Sequence, residues 1–430
     1  MQPDKDRGPL SLFRPLLGVF FSLGAIKITQ MVLPLLAFPW LARILDMRTF
    51  GILMYFSILP SIVETVLNWG FTLGAVRDVA FARGGQKRQA AILGAVITAK
   101  LVLAGLCLLG ALLLLPVIPY AGEYPGVYML AILYGVARGF RPLWFYQGIG
   151  LGMRHLALWD VLTNLISLGL IVVIIDRPER WPWYFALNFG CKGLAYGCLI
   201  GELGRSWPFR LNLKRAWRIL RKTRTLFANS LTNMAHAQTS KLVLGYFLLP
   251  AEMGIYLAAD KIIKAVAEAS EPVTQTVYPE VCALRHGDAK TAGQMLFWSC
   301  TVTVGLMLLA ALALWATAPW LIPLAMGARY AEAIPILNIM VAALPITGMN
   351  MVLGPQILVA NGHERPYFLA SVFVAAASVP LAMLLPFLFG LMGAACLNIV
   401  LALLFFAALS FCIKKYCPGS VSLGRQGDKA

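Results

Sequence analysis

Within a chain that is 60% hydrophobic, a few ionisable and amide side chains recur every three or four residues. Ser57, Ser61, Glu64 and Asn68 make one such set. Asn229, Asn233, His236 and Ser240 make a second, with Thr232 and Lys241 beside it. Asp260, Lys264, Glu268, Glu271 and Gln275, with Lys261 adjacent, make a third, and Lys27 and Gln30 lie one turn before Pro34. That spacing places each set on one face of a helix. A charged side chain in hydrocarbon costs about 2.5–3.5 kcal/mol even on insertion scales, so these faces must turn toward protein or water. The chemistry open to them is reversible binding. Glu64, His236, Asp260 and Glu268 are placed to take up a proton or a sodium ion, with a hydrogen-bonded structural role as the alternative for His236.

The sign of the buried charge narrows the cargo. Inside the apolar runs stand Lys27, Lys100, Arg138, Arg141, Lys192, Lys241, Lys261 and Lys264 against Glu64, Asp260, Glu268 and Glu271. A net basic cavity concentrates anions, and the planar guanidinium fork suits phosphate oxygens in particular. Lys27, Arg138 and Arg141 have no opposite charge at helical spacing and are therefore the expected anion-binding groups. Structural pairing competes with this for Asp260–Lys264 and Lys264–Glu268, which are i,i+4 neighbours, and Lys27 could neutralise Glu64. Lys192 and Glu202 lie near run ends, where they can snorkel, and Asp160 reads as interfacial.

Other chemistries find little support. The eight cysteines form no CxxC and sit mostly in apolar runs, where a thiol behaves as a small hydrophobe. No metal site, redox motif or cofactor is expected, and no paired carboxylates stand on a sizeable loop. The formal charge of +17 does not imply nucleic acid, because the basic residues fall in alternate short connections between apolar runs.

Those runs are the elements that must position the polar faces. Each needs roughly 20 residues to cross a bilayer, and the pattern predicts an all-α integral membrane protein with twelve transmembrane helices. Their expected limits are 17–40, 50–72, 90–117, 125–148, 158–175, 182–203, 225–249, 253–280, 293–316, 331–355, 366–388 and 391–413. The first, interrupted by Lys27 and lacking a small-residue cleavage site, reads as a retained span rather than a removed signal peptide. With both termini cytoplasmic, inside connections carry 23 Lys and Arg and outside ones carry 5. That asymmetry sets the expected orientation.

The halves repeat at an offset of 203 residues, which links Gly51 to Gly254, Gly84 to Gly287 and Lys87 to Lys290. Two six-helix lobes around a central cavity follow as the expected architecture: 1–203, then a basic amphipathic linker at 204–224, then 225–413 and a tail at 414–430. In the linker, Leu213, Trp217 and Leu220 alternate with basic residues at helical spacing. It reads as a cytoplasmic helix attracted to anionic membrane lipids, with substrate recruitment as the alternative.

The run Pro142-Leu143-Trp144-Phe145-Tyr146-Gln147-Gly148 resembles the P-x-W-f-f-Q-G signature of Wzx-type polysaccharide-repeat flippases. These belong to the multidrug/oligosaccharidyl-lipid/polysaccharide exporter superfamily. The Gly51 segment, the Gly70–Arg83 stretch and the turn NGHERPYF at 361–368 are similar to the family as well. The resemblance covers nearly the whole chain. It implies translocation of an undecaprenyl-diphosphate-linked oligosaccharide from the cytoplasmic to the periplasmic leaflet of a bacterial inner membrane. Alternating access, a proton or sodium gradient, a functional monomer, and association with a polysaccharide polymerase and a chain-length regulator are implied with it. On that reading Lys27, Arg138 and Arg141 hold diphosphate, and Asn229, Asn233, Lys241 and Lys264 contribute to glycan or anion binding. A drug antiporter of the same superfamily and a membrane-embedded polymerase are the alternatives. The net basic lining argues against the first and the short external loops against the second.

Overall fold

The computed structural model describes residues 36–82, 85–150, 152–270, 274 and 289–417, apart from the side chains of 233, 236 and 289–292. Every regular element among them is helical. A helical segment at 36–44 (α1) turns at Asp46 into Met47–Phe56 (α2), and Leu59–Asn68 (α3) follows almost in line. Next come Gly74–Phe81 (α4), Gln86–Leu114 (α5), Pro125–Gly139 (α6), Leu143–Ile149 (α7), Met153–Ile174 (α8), Trp183–Ser206 (α9), Leu213–Leu244 (α10) and Pro250–Ala269 (α11). Ala289–Met326 (α12), Ala333–Met340 (α13), Ala343–Val352 (α14) and Glu364–Tyr416 (α15) complete the order.

Among the described residues, six stretches are long and apolar enough to cross a membrane: Met47–Asn68, Gln86–Leu114, Met153–Ile174, Gly293–Met326, Ala333–Val359 and Glu364–Tyr416. The chain is thus a multi-pass membrane protein. The expected first span lies mostly outside the described residues. Two expected spans, 366–388 and 391–413, occur as one stretch broken at Gly390, whose φ of 55° and ψ of −137° leave the helix. Only a residue without Cβ reaches that conformation cheaply.

Two expectations change. The span expected at 125–148 is two helices, α6 and α7, separated at Phe140-Arg141-Pro142. Proline has no N–H to donate and pushes the residue before it out of the α region. The amphipathic helix expected within 204–224 and the span expected at 225–249 are one helix, because α10 runs unbroken from Leu213 to Leu244. Asn212 starts it by accepting the Arg215 N–H at 2.9 Å. Described residues of 36–257 with 375–390 pack as one compact unit, and those of 258–374 with 391–417 as another. The first unit takes in α10, which packs on α5 and α3. Trp69 stacks on Phe227 with ring centroids 3.7 Å apart and donates to the Leu220 carbonyl at 3.1 Å. In the second unit Leu358, Ala370, Leu409, Ile413 and Cys417 form a buried cluster against Tyr367 and Phe405.

The entry to α2 is held by a side-chain cap. The Asp46 carboxylate accepts the Thr49 N–H at 3.0 Å. Partial burial pushes the Asp46 carboxyl up, but the hydrogen bonds from Thr49 outweigh it and the net displacement is downward. The cap's contribution is therefore complete above the ordinary carboxylate range and is lost as pH falls through the lowered value. Asp46→Ala is expected to cost about 1 kcal/mol, measured by thermal unfolding in detergent. Asp46→Asn should keep most of the stability and lose its acid dependence.

Candidate functional site

The first unit assembles the buried charges. α6 crosses α3 closely at Gly135 and Gly139, where an added Cβ would lie 2.8 Å from Pro60 and 2.6 Å from Leu67. That approach sets the Arg138 guanidinium 2.6 Å from the Glu64 carboxylate, and its cation lies 5.6 Å from the Tyr134 ring centre. Past the break, Arg141 pairs with Asp160 of α8, and the Tyr196 hydroxyl of α9 donates to the other Asp160 oxygen at 2.8 Å. Lys192 of α9 donates to Asn164 at 2.7 Å and lies 5.7 Å from the Tyr196 ring centre. Ser167 and Asn188 join α8 to α9 at 3.0 Å one turn away.

Lys100 of α5 completes the cluster. Its ammonium donates to the Gly139 carbonyl and, at 3.3 Å, to the Asn68 amide oxygen. The reason is local. Pro142 ends α6 and leaves its last carbonyls without helical partners, and a cation at a helix C-terminus is favoured by the helix dipole. Lys100 is only 1% exposed, so α6 ends on a buried ammonium.

Two of the segments that resemble the flippase family hold this break in place. Trp144, Phe145, Tyr146 and Gly148 of α7 are buried and pack on α4, which lies within the 70–83 stretch. Phe145 meets Trp207 edge-on at 5.3 Å. The motif is thus a packing device that fixes the turn carrying Arg138 and Arg141.

Sequence reasoning placed both arginines inside the membrane but gave them no acidic partner. The structure corrects this, because the partners come from neighbouring helices. Asp160, expected at the interface, is 3% exposed beneath Arg141, and Lys192, expected to snorkel, is 6% exposed. Glu64 pairs with Arg138, and Lys27 lies outside the described residues. Even without the fully buried Lys100, the cations Arg138, Arg141 and Lys192 outnumber the carboxylates Glu64 and Asp160, so the cluster is net positive. Arg141 Nε, buried, makes no hydrogen bond. The Arg138 side chain is 35% exposed. Hydrocarbon would not solvate that exposed charge, so it must meet water or an anion.

The later polar faces are only partly described. Asn229 is exposed and Lys241 buried on α10, and the Asn233 and His236 side chains lie outside the described set. On α11 the Lys264 ammonium stands 3.8 Å from Asp260, as the pairing alternative anticipated, and Glu268 is exposed. Glu271 and Gln275 lie outside the described residues. Sequence reasoning assigns no binding role to Lys100, Asp160 or Tyr196. Their only sequence signal is polarity inside an apolar run, and their partners are 19 to 39 residues distant.

Comparison with known proteins agrees with this architecture. A protein called "Putative O-antigen transporter" from Escherichia coli (strain K12) is 23% identical over 380 residues, covering 87% of this chain and 90% of the relative. An inward-facing multidrug resistance MATE family transporter of the MOP superfamily matches with a TM-score of 0.71 at 13% identity, covering 92% of this chain and 99% of the other. The lipid II flippase MurJ, in an inward closed conformation, matches with a TM-score of 0.68 at 12% identity, covering 94% and 90%. The resemblance read from 142–148 is borne out. A family model described as polysaccharide biosynthesis protein matches residues 16–282, and the chain belongs to that family.

Proposed function

We propose that this protein is a flippase that carries an undecaprenyl-diphosphate-linked oligosaccharide from the cytoplasmic to the periplasmic leaflet of a bacterial inner membrane. The observation that carries the reading is the net positive cluster at the α6–α7 break, with Arg138 partly exposed among apolar helices. A diphosphate crossing the membrane needs cations that protein holds in place and water can reach. A guanidinium pinned on one edge by a carboxylate still offers its other edge. Family membership and the O-antigen transporter relative support the cargo class.

Two six-helix lobes, both termini in the cytoplasm and alternating access around the site belong to the same reading, supported by the 23 to 5 distribution of basic residues. Glu64, His236, Asp260 and Glu268 are the groups proposed to couple transport to a proton or sodium gradient. Because Glu64 is held by Arg138, protonating it would release the guanidinium, which gives coupling a direct physical route. The protein works as a monomer beside a polymerase and a chain-length regulator.

The test is relocation of a fluorescent lipid-linked oligosaccharide in proteoliposomes, read by its accessibility to an impermeant quencher. The expected result is relocation with the glycan unchanged in length. A lengthened glycan would identify a polymerase, and transport of cationic drugs without relocation would identify a drug antiporter.

A further inference from the structure

The chain leaving α9 doubles back along α5 before α10 begins. Gln86 donates to the Ser206 carbonyl, Trp207 Nε1 to Gln89 at 2.8 Å, and the Asn212 N–H to Thr98 Oγ1 at 3.0 Å. Pinned this way, it walls a groove of about 510 Å³ lined by Thr98, Leu101, Val102, Leu211, Asn212 and Leu213. The four apolar walls are between 40% and 68% exposed. α5 is buried through 93–100, and its exposed apolar side chains begin at Leu101 and continue with Val102, Leu106 and Leu109. The groove therefore lies where α5 turns its face to lipid.

Its rim is basic. Arg210 and Lys214 flank the wall residues directly, and Arg215 and Arg218 follow on α10, all exposed. Farther along, Lys222 is already held by Asp78 at 2.6 Å. None of the four rim cations makes an ion pair among the described residues. An apolar cleft opening onto hydrocarbon under unpaired cations fits one kind of occupant. Bare phosphate gains nothing from leucine walls, and a zwitterionic headgroup brings its own cation to a basic rim.

We propose that the groove is a binding site for an anionic glycerophospholipid, with an acyl chain along Leu101, Val102, Leu211 and Leu213 and the phosphate against Arg210 and Lys214. The site is separate from the Arg138 cluster and holds whatever the cargo is. It gives the basic stretch a defined seat for a lipid in place of diffuse attraction, and it ties the start of α10 to the membrane surface.

Native mass spectrometry of the intact chain, released from micelles containing phosphatidylglycerol or phosphatidylcholine, tests this. Wild type is expected to retain one phosphatidylglycerol in preference to phosphatidylcholine. Arg210→Gln with Lys214→Gln should lower that retention about tenfold or more. Val102→Trp, which fills the groove and keeps every charge, should lower it as well, with folding checked by size-exclusion elution. Lys414→Gln with Lys415→Gln should leave it unchanged. Undiminished retention in the Arg210/Lys214 variant, or equal loss in the Lys414/Lys415 variant, would overturn the proposal. Stronger retention of undecaprenyl phosphate than of phosphatidylglycerol would overturn it too, in favour of the cargo's own tail.

Discussion

Transport stops in Arg138→Gln and does not return when Glu64→Gln is added. The two side chains meet at 2.6 Å, so a purely structural account makes the opposite forecast. If the arginine existed only to neutralise the glutamate, removing both charges would leave two amides able to hydrogen-bond each other, and such replacement of an ion pair is often harmless. If the arginine holds diphosphate, the double variant still lacks the fork that binds it. Losing one partner of a hydrogen-bonded charge pair costs about 2 kcal/mol or more, which corresponds to a fall of about thirtyfold or more in translocation rate. Glu64→Gln alone separates the glutamate's role: the guanidinium is freed, cargo binding tightens, and dependence on the driving gradient weakens. The measurements are proteoliposome relocation and cargo affinity for all three variants at matched protein levels. Recovery of transport in the double variant would return the pair to a structural role.

The reach of sequence reasoning follows from the range of each interaction. Hydropathy and helical spacing are local, so the membrane class and the helical character of the long apolar stretches could be read without coordinates. The pairing of Arg138 and Arg141 could not. Arg141 finds Asp160 on α8, and Arg138 finds Glu64 on α3, across contacts that no local periodicity encodes. The expected span at 125–148 runs straight through Pro142, and the consequence of that proline depends on a third helix, since Lys100 of α5 takes the carbonyl that the break leaves open. Basic composition likewise favours a surface helix at 204–224. Its continuation into α10 depends on Trp69, Leu220 and Phe227, which are joined only in the fold. Where the sequence offers just a count of charges, here an excess of cations, the sign is what survives into the structure.

Gly51→Ala destabilises the protein more than any other single methyl addition proposed for it. Gly51 and Gly254, the glycines that the 203-residue offset links in the sequence, touch in the structure. A Cβ on Gly51 would fall 1.6 Å from the Pro250 carbonyl oxygen, whereas one on Gly254 would fall 2.9 Å from Gly51 Cα. The obstacle at Gly51 is backbone, which no rotamer change can remove, and α2 is packed on its other sides by the fully buried Phe50, Ile52 and Leu53. Overpacking commonly costs about 1–3 kcal/mol, and a backbone overlap this deep should reach or pass the upper end. Gly254→Ala should cost less, because its nearest obstacle, also backbone, lies at 2.9 Å and the overlap is shallower. The double variant should fall short of the sum, since both methyls push the same two helices apart. Thermal unfolding in detergent gives the ranking, and relocation assays on the surviving fraction show whether parting α2 from α11 alters transport. Equal stability of Gly51→Ala and wild type would mean the two helices do not cross at these glycines.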